Sequence, residues 1–226
     1  MVKGIFYCVG VGPGDPKLMT YKAAETIRSC AVAAVPDSGS GRALALETAR
    51  EHLAGKRIVR CKMPMTEDAG ALAASWDDNA RKLAVYLENG ESVAFLTVGD
   101  PSLYSTAMYI HERLKKLGYG TAIVPGVPSF CAAAASLNYG LCAGALPLSL
   151  IPANAENLPE LLDMTPGGKV IMKPGRGLGR IKSLLAEKGL KAAAVERASL
   201  PDEAVFADIG DMDGEAGYFT LIIVKG

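Results

Sequence analysis

Two short stretches of this 226-residue chain set glycines beside a carboxylate and a proline. The first, Gly10-Val11-Gly12-Pro13-Gly14-Asp15-Pro16, closes an apolar run over residues 5–11; the second, Gly99-Asp100-Pro101, closes another over residues 92–100. Glycines after a strand are the material of a phosphate-wrapping loop, yet Asp15 stands at the sixth position, where the dinucleotide fingerprint needs Gly or Ala. Pro13 removes one amide donor, and a carboxylate at the loop tip repels a pyrophosphate. Asp15 before Pro16 predicts instead a helix N-cap with proline at the first helical position, and Thr20 can cap a second helical start. Pro101 keeps Asp100 out of the helical region, so its carboxylate belongs at the carboxyl edge of a strand, free to accept hydrogen bonds. Such loops are either tight turns that need glycine or one wall of a ligand cleft.

Those loops require strands to carry them. Apolar runs over residues 5–11, 30–36, 57–64, 92–100 and 121–126 alternate with helical patterns over 21–29, 43–52, 71–87 and 106–117. That alternation predicts a mostly parallel sheet covered by helices on both faces. After Gly126 the rhythm changes to an Ala-rich helix (130–137), strands over 146–152 and 169–173, helices near 157–163 and 180–188, and a strand-rich tail over 192–198, 203–209 and 218–226. The turn-like DMDGEAG between the last two strands suggests antiparallel pairing. The boundary expected between domains 1–126 and 127–226 falls in the Gly- and Pro-rich stretch from Gly126 to Ser129. Two further segments, VPGVPSFCAAA (124–134) and VIMKPGRG (170–177), end strands in the same Gly/Pro style, so four such loops make one lined cleft more plausible than four unrelated turns.

Composition narrows the chemistry. Twenty-four basic and twenty-four acidic residues cancel, and no Lys/Arg run stands out, which argues against a nucleic-acid partner. Only His52 and His111 are available, so a histidine-based metal site or a Ser-His-Asp triad is hard to assemble. Five cysteines without a C-x-x-C pair read as buried, reduced thiols of a cytoplasmic protein. No apolar stretch reaches the ~18 residues of a membrane span.

With VGVGPGDPKLMTYKA, VAFLTVGDPSLYST, VPGVPSFCAAAASLN, ERAS and YFTLIIV in view, the chain resembles the tetrapyrrole methylase family along essentially its whole length. TVGDPSLYST together with GVPSFCAAAA is most similar to the branch that methylates C(20) of precorrin-2 or its cobalt form in corrin synthesis. The resemblance implies two α/β domains, mostly parallel in the first sheet and mixed in the second, with a cleft between them that binds S-adenosylmethionine and releases S-adenosylhomocysteine. That cofactor carries a sulfonium and an amino group but no phosphate, so a carboxylate near it is favourable where it would be costly beside a diphosphate.

Carried over residue by residue, the implied cofactor contacts are Leu18, Gly99, Asp100, Leu103, Tyr104, Ser105, Thr106, Ser129, Phe130, Met172, Ala198 and Thr220. Pro128 departs from the family's usual Ser or Thr, leaving Ser129 or the backbone to replace that hydroxyl. Gly12, Pro13, Gly14 and Asp15 fall on the tetrapyrrole side. Lys173, Arg176 and Arg180 offer cations to a macrocycle bearing many carboxylates, with Lys62 and Arg81 as lesser candidates. Asp100 is the candidate to assist loss of the C(20) proton. Without an obvious His or Cys ligand set, the protein need not hold a metal itself. A homodimer is implied, to which the apolar FTLIIV could contribute. A family member acting at another ring position, on diphthamide or on ribosomal RNA, a nicotinamide-dependent oxidoreductase, and a non-catalytic tetrapyrrole carrier are the competing readings.

Overall fold

The computed structural model describes residues 2–37, 43–64, 66, 68–164 and 166–225. The chain divides into two compact units, Met1–Pro128 and Ser129–Gly226, so the division lies just beyond Gly126.

The first unit is built on five strands, β1 (Ile5–Gly10), β2 (Val32–Asp37), β3 (Arg57–Lys62), β4 (Val93–Thr97) and β5 (Gly120–Val124). They lie in the order β3-β2-β4-β1-β5, and every pairing is parallel. Parallel strands need crossovers, and the sequence supplies them as α1 (Tyr21–Ser29), α2 (Leu44–Thr48), α3 (Ala69–Glu88) and α4 (Ala107–Lys116). Alternate side chains of each strand point to opposite faces. Phe6, Cys8 and Phe95 pack with Leu83, Leu87, Ile110 and Leu114 of α3 and α4. Val9, Ala33 and Leu96 pack on the other face with Ala23, Ile27, Ala45 and Ala49. A sheet buried on both faces explains why its strands read as continuous apolar runs.

Local signals set the helix starts. Thr20 Oγ1 accepts from Ala23 N at 3.1 Å and caps α1. Asp68 Oδ1 accepts from Gly70 N and Ala71 N, so α3 begins two residues ahead of the apolar periodicity.

The second unit holds β6 (Leu148–Pro152), β7 (Gly168–Met172), β8 (Ala192–Glu196), β9 (Ala204–Phe206) and β10 (Thr220–Val224) in the order β6-β7-β10-β8-β9. The β6–β7 pair is parallel and the other three pairs are antiparallel, which is the expected mixed sheet. Helices α6 (Leu158–Met164) and α7 (Leu178–Glu187) cover the face of Ile171, Ala194 and Ile222. The Ala-rich α5 (Ser129–Ser136) opens the unit.

The tail departs from expectation in one respect. DMDGEAG does not turn a β9–β10 hairpin, because β8 lies between those strands and pairs antiparallel with both. The connection buries Ile209, Met212 and Ala216 against the helical layer, an apolar anchorage that a hairpin turn would forgo. Of FTLIIV, Thr220–Val224 is buried in the interior strand β10, so Phe219 is the one residue of the segment exposed to a second copy.

Three cysteines, Cys8, Cys30 and Cys61, are buried, whereas Cys131 and Cys142 are exposed, contrary to the expectation of uniformly buried thiols. Burial pushes the Cys8 and Cys61 thiols up to about 12 and Cys30 to about 11. The thiolate is the reactive form, so burial and protonation both silence these three. Cys8 Sγ lies 3.9 Å from His111 Nδ1, but its raised pKa makes the pair no nucleophile at neutral pH. Ellman titration of the native protein at pH 8 should release the equivalent of Cys131 and Cys142 only, rising to all five in guanidinium; a fast third equivalent would contradict this packing.

Candidate functional site

In the first unit, β1 and β4 are parallel neighbours whose crossover helices leave on opposite faces, α1 on one and α4 on the other. The carboxyl ends of two such strands form a topological switch point, the place where open α/β sheets bind ligands. Both Gly-Asp-Pro loops lie there. Gly99 N donates to Gly12 O at 2.7 Å, Gly12 N to Gly99 O at 3.4 Å, and Val11 N to Thr97 O at 3.0 Å, so the loops are stitched backbone to backbone. Gly12 (φ 81°) and Gly99 (φ 74°) occupy the left-handed region this bridge demands.

A third segment enters the junction from the end of β5. A Cβ on Gly126 would stand 2.2 Å from Gly99 O, and one on Gly10 would stand 2.5 Å from the same oxygen and 2.7 Å from Gly126 N. Three glycines thus let three strand ends meet around one carbonyl.

Asp100 ties this junction together. Its Oδ1 accepts from Ser102 N at 2.8 Å and Ser102 Oγ at 2.5 Å, while Oδ2 accepts from Gly126 N at 3.0 Å. The carboxylate expected to accept hydrogen bonds does so on both oxygens, from groups of its own chain. Ser105 Oγ lies 3.0 Å from Thr97 Oγ1 and accepts from Ala107 N, the first residue of α4, at 3.2 Å. Leu103 is partly buried, Thr106 is exposed, and Tyr104 is half exposed in a left-handed conformation (φ 50°).

In the first glycine loop, Asp15 Oδ1 accepts from Lys17 N at 2.9 Å and caps the 3-10 turn Pro16–Leu18, as the Asp-Pro pair predicts. Gly12, Pro13 and Gly14 are buried, and Gly14 O accepts from Thr48 Oγ1 at 3.2 Å. Only Asp15 and the residues after it, including the partly buried Leu18, keep surface for a ligand. Thr20 Oγ1 also donates to Pro125 O at 3.2 Å, a second tie to the end of β5.

In the second unit the candidates gather at one edge of the mixed sheet, the carboxyl ends of β7 and β8 beside the start of β10. Met172 is opposite Leu221, and Glu196 is opposite Thr220. Met172 is half buried, which suits a thioether to pack on an aromatic ring. Thr220 is buried and its hydroxyl donates to Glu196 Oε1 at 2.8 Å, an oxygen that also accepts from Gly217 N at 2.7 Å. Ala198 is buried just past β8. Lys173 and Arg176 are exposed beyond β7, and Lys173 Nζ sits 5.7 Å from the centre of the Tyr218 ring. Arg180 is exposed on α7. Ser129 and the buried Phe130 begin α5.

Elsewhere in the first unit, Arg81 pairs with Asp78 on the exposed face of α3, a solvated helix pair, and Lys62 ends β3. Sequence reasoning missed Ser102, Glu196, Glu203 and the role of Gly126. Each acts through a backbone or hydroxyl partner; the polar residue a short step after a strand end is the one signal that could have drawn attention to Ser102.

A parallel sheet with glycine loops gathered at its switch point, continued by a mixed sheet with small and thioether side chains at one edge, is the architecture of an α/β enzyme for a small organic ligand. Residues 6–213 match the Tetrapyrrole (Corrin/Porphyrin) Methylases, and the chain belongs to that family. It is 34% identical to the probable cobalt-precorrin-2 C(20)-methyltransferase of Methanocaldococcus jannaschii over 97% of this chain and 95% of that protein. It is also 33% identical, over 99% of its length, to the cobalamin biosynthesis protein CobIJ of Mycobacterium tuberculosis, of which it spans 46%, about half. Among solved structures, a cobalt precorrin-4 methyltransferase, CbiF, shares the fold at 21% identity, with a TM-score of 0.78 over 98% of this chain and 94% of that one. Uroporphyrin-III C-methyltransferase of Thermus thermophilus, complexed with S-adenosylhomocysteine, shares it at 22% identity and a TM-score of 0.73, over 98% and 97% of the two chains.

Proposed function

We propose that this protein is an S-adenosylmethionine-dependent C-methyltransferase acting at C(20) of precorrin-2 or its cobalt form in cobalamin biosynthesis. The observation that carries the reading is the near end-to-end match to a relative named for C(20) methylation of cobalt-precorrin-2. The candidate residues suit the cofactor. Gly99–Thr106 contains a carboxylate and several hydroxyls but no cationic side chain, appropriate to a sulfonium and an ammonium and adverse to a diphosphate. Met172 and Ala198 offer a polarisable and a small surface for a nucleoside.

The cofactor, when bound, supplies an electrophilic methyl group. The protein's own work is alignment and exclusion of water. Leu18, Gly99, Asp100, Leu103, Tyr104, Ser105 and Thr106 of the first unit, with Ser129, Phe130, Met172, Ala198 and Thr220 of the second, are the proposed cofactor contacts. Because the Asp100 carboxylate already holds Ser102 and Gly126, we assign it to positioning ahead of proton removal. Lys173 and Arg176 are the proposed partners of substrate carboxylates, and Asp15 marks the part of the first loop that a macrocycle can reach, Gly12, Pro13 and Gly14 supporting it from beneath. The working form is proposed to be a cytoplasmic homodimer, which size-exclusion chromatography with light scattering would test.

The decisive experiment incubates the protein with methyl-labelled S-adenosylmethionine and, side by side, metal-free precorrin-2 and its cobalt form. The expected product gains one methyl, placed on C(20) by NMR. Methyl at another carbon, or none with either substrate, overturns the assignment.

A further inference from the structure

The backbone after β8 contains an unusual pair. Arg197 (φ 52°) and Ser199 (φ 68°) are both left-handed, and between them lies the buried Ala198. Neither Arg nor Ser is a residue the left-handed region favours, and such conformations persist only where their surroundings hold them. Arg197 N donates to Phe219 O at 3.0 Å, Leu200 N to Arg197 O at 2.9 Å, and Glu203 N to Leu200 O at 3.0 Å. Arg197 Nε stands 2.6 Å from Asp202 Oδ1. A further hold comes from one carboxylate: Glu203 Oε2 accepts from Ser199 N at 2.5 Å and from Ser136 Oγ, at the end of α5, at 2.9 Å. Glu203 therefore fastens a left-handed amide and anchors it to a helix at the same time.

We propose that Glu203 is a positioning residue, which by holding the Ser199 amide fixes the left-handed turn that presents Ala198 to the nucleoside part of the cofactor. The proposal rests on the cofactor reading given above. A turn that strained relaxes when its hold is lost, and Ala198, set between the two left-handed residues, moves with it. A methyl-sized side chain is useful for close approach only while the backbone beneath it stays in place. Ser136, Ser199 and Glu203 make no direct contact with the cofactor in this scheme.

The test titrates the full-length protein with S-adenosylhomocysteine by calorimetry and measures donor kinetics for Glu203→Ala, Glu203→Gln and the double variant Glu203→Ala/Ser199→Gly, with thermal melts to establish folding. Glu203→Ala should raise the S-adenosylhomocysteine Kd about tenfold, about 1.4 kcal/mol. The donor KM should rise in parallel, with kcat at saturating donor changing less than about twofold, as loss of uniform binding requires. Glu203→Gln keeps an oxygen able to accept both bonds and should stay within about threefold of wild type. Ser199→Gly should restore most of the lost affinity, since glycine adopts the left-handed region without strain. A folded Glu203→Ala that binds like wild type, or a double variant no better than the single one, overturns the proposal. If Glu203→Ala does not fold, Glu203→Asp, one methylene shorter, should cost about threefold, and unchanged affinity there overturns it equally. Wild-type protein that fails to bind S-adenosylhomocysteine would instead sink the cofactor reading itself.

Discussion

Gly126→Ala is expected to remove S-adenosylhomocysteine binding almost entirely, by about 100-fold or more, and to lower the melting temperature by about 6–12 °C. The added Cβ would stand 2.2 Å from Gly99 O and 2.8 Å from Gly10 C, both main-chain atoms that no rotamer change can clear. Relief requires the ends of β1, β4 and β5 to separate, which stretches the Gly126 N to Asp100 Oδ2 bond and opens the Gly12–Gly99 bridge. Overpacking of this kind costs roughly 3 kcal/mol. A binding loop displaced by a fraction of an ångström loses affinity on a similar scale, about 2.7 kcal/mol for 100-fold, because alignment is what the loop contributes. Gly55→Ala is the control. Gly55, unlike Gly126, is a left-handed glycine (φ 73°), and nothing lies within 4 Å of its absent Cβ. Alanine there should cost about 1–2 kcal/mol of strain and leave binding unchanged. Calorimetric titration and melting curves of the two variants separate the outcomes; Gly126→Ala with native binding would show that the junction has slack and does not organise the site.

That junction marks the limit of what the sequence conveys. The two Gly-Asp-Pro loops were visible as units, since each glycine follows a strong apolar run and each proline constrains the residue before it. The alternation of strands and helices was visible for a similar reason, because burial on both faces of β1, β2 and β4 writes continuous apolar segments. What could not be seen is that Gly10, Gly99 and Gly126 share one carbonyl. The reason for glycine at Gly10 and Gly126 is steric and comes from segments distant in sequence, not from the local backbone angle. The same applies to Asp100: Pro101 fixes where its backbone goes, but nothing local names Gly126 as its partner. In the second unit the left-handed turn at Arg197 and Ser199 is hidden because neither residue type advertises it. The false hairpin has the opposite origin. DMDGEAG carries strong turn chemistry, and tertiary burial of Ile209, Met212 and Ala216 overrides it, sending β10 across to the far side of β8.

Asp100 offers the second large effect and the sharper discrimination. Asp100→Ala leaves the amides of Ser102 and Gly126 without their acceptor, and hydrogen bonds to a charged group are worth enough that a loss of about 10- to 100-fold in S-adenosylhomocysteine affinity is expected. Asp100→Asn should do almost as badly. Both carboxylate oxygens face main-chain N–H groups, Ser102 N at 2.8 Å and Gly126 N at 3.0 Å. An amide has one oxygen and one NH2, so whichever way it turns, a donor meets a donor. A group acting as proton acceptor for the substrate predicts a different pattern: Asn, nearly the same size, would keep cofactor affinity and abolish turnover. Binding by calorimetry and single-turnover methylation with saturating donor read the two quantities separately. Parallel losses of affinity in the Ala and Asn variants, with single-turnover rates at saturation falling much less, identify Asp100 as the clasp between the β4 loop and the end of β5. Intact affinity with lost turnover in the Asn variant would return the proton-acceptor role to it and leave Ser102 and Gly126 as bystanders.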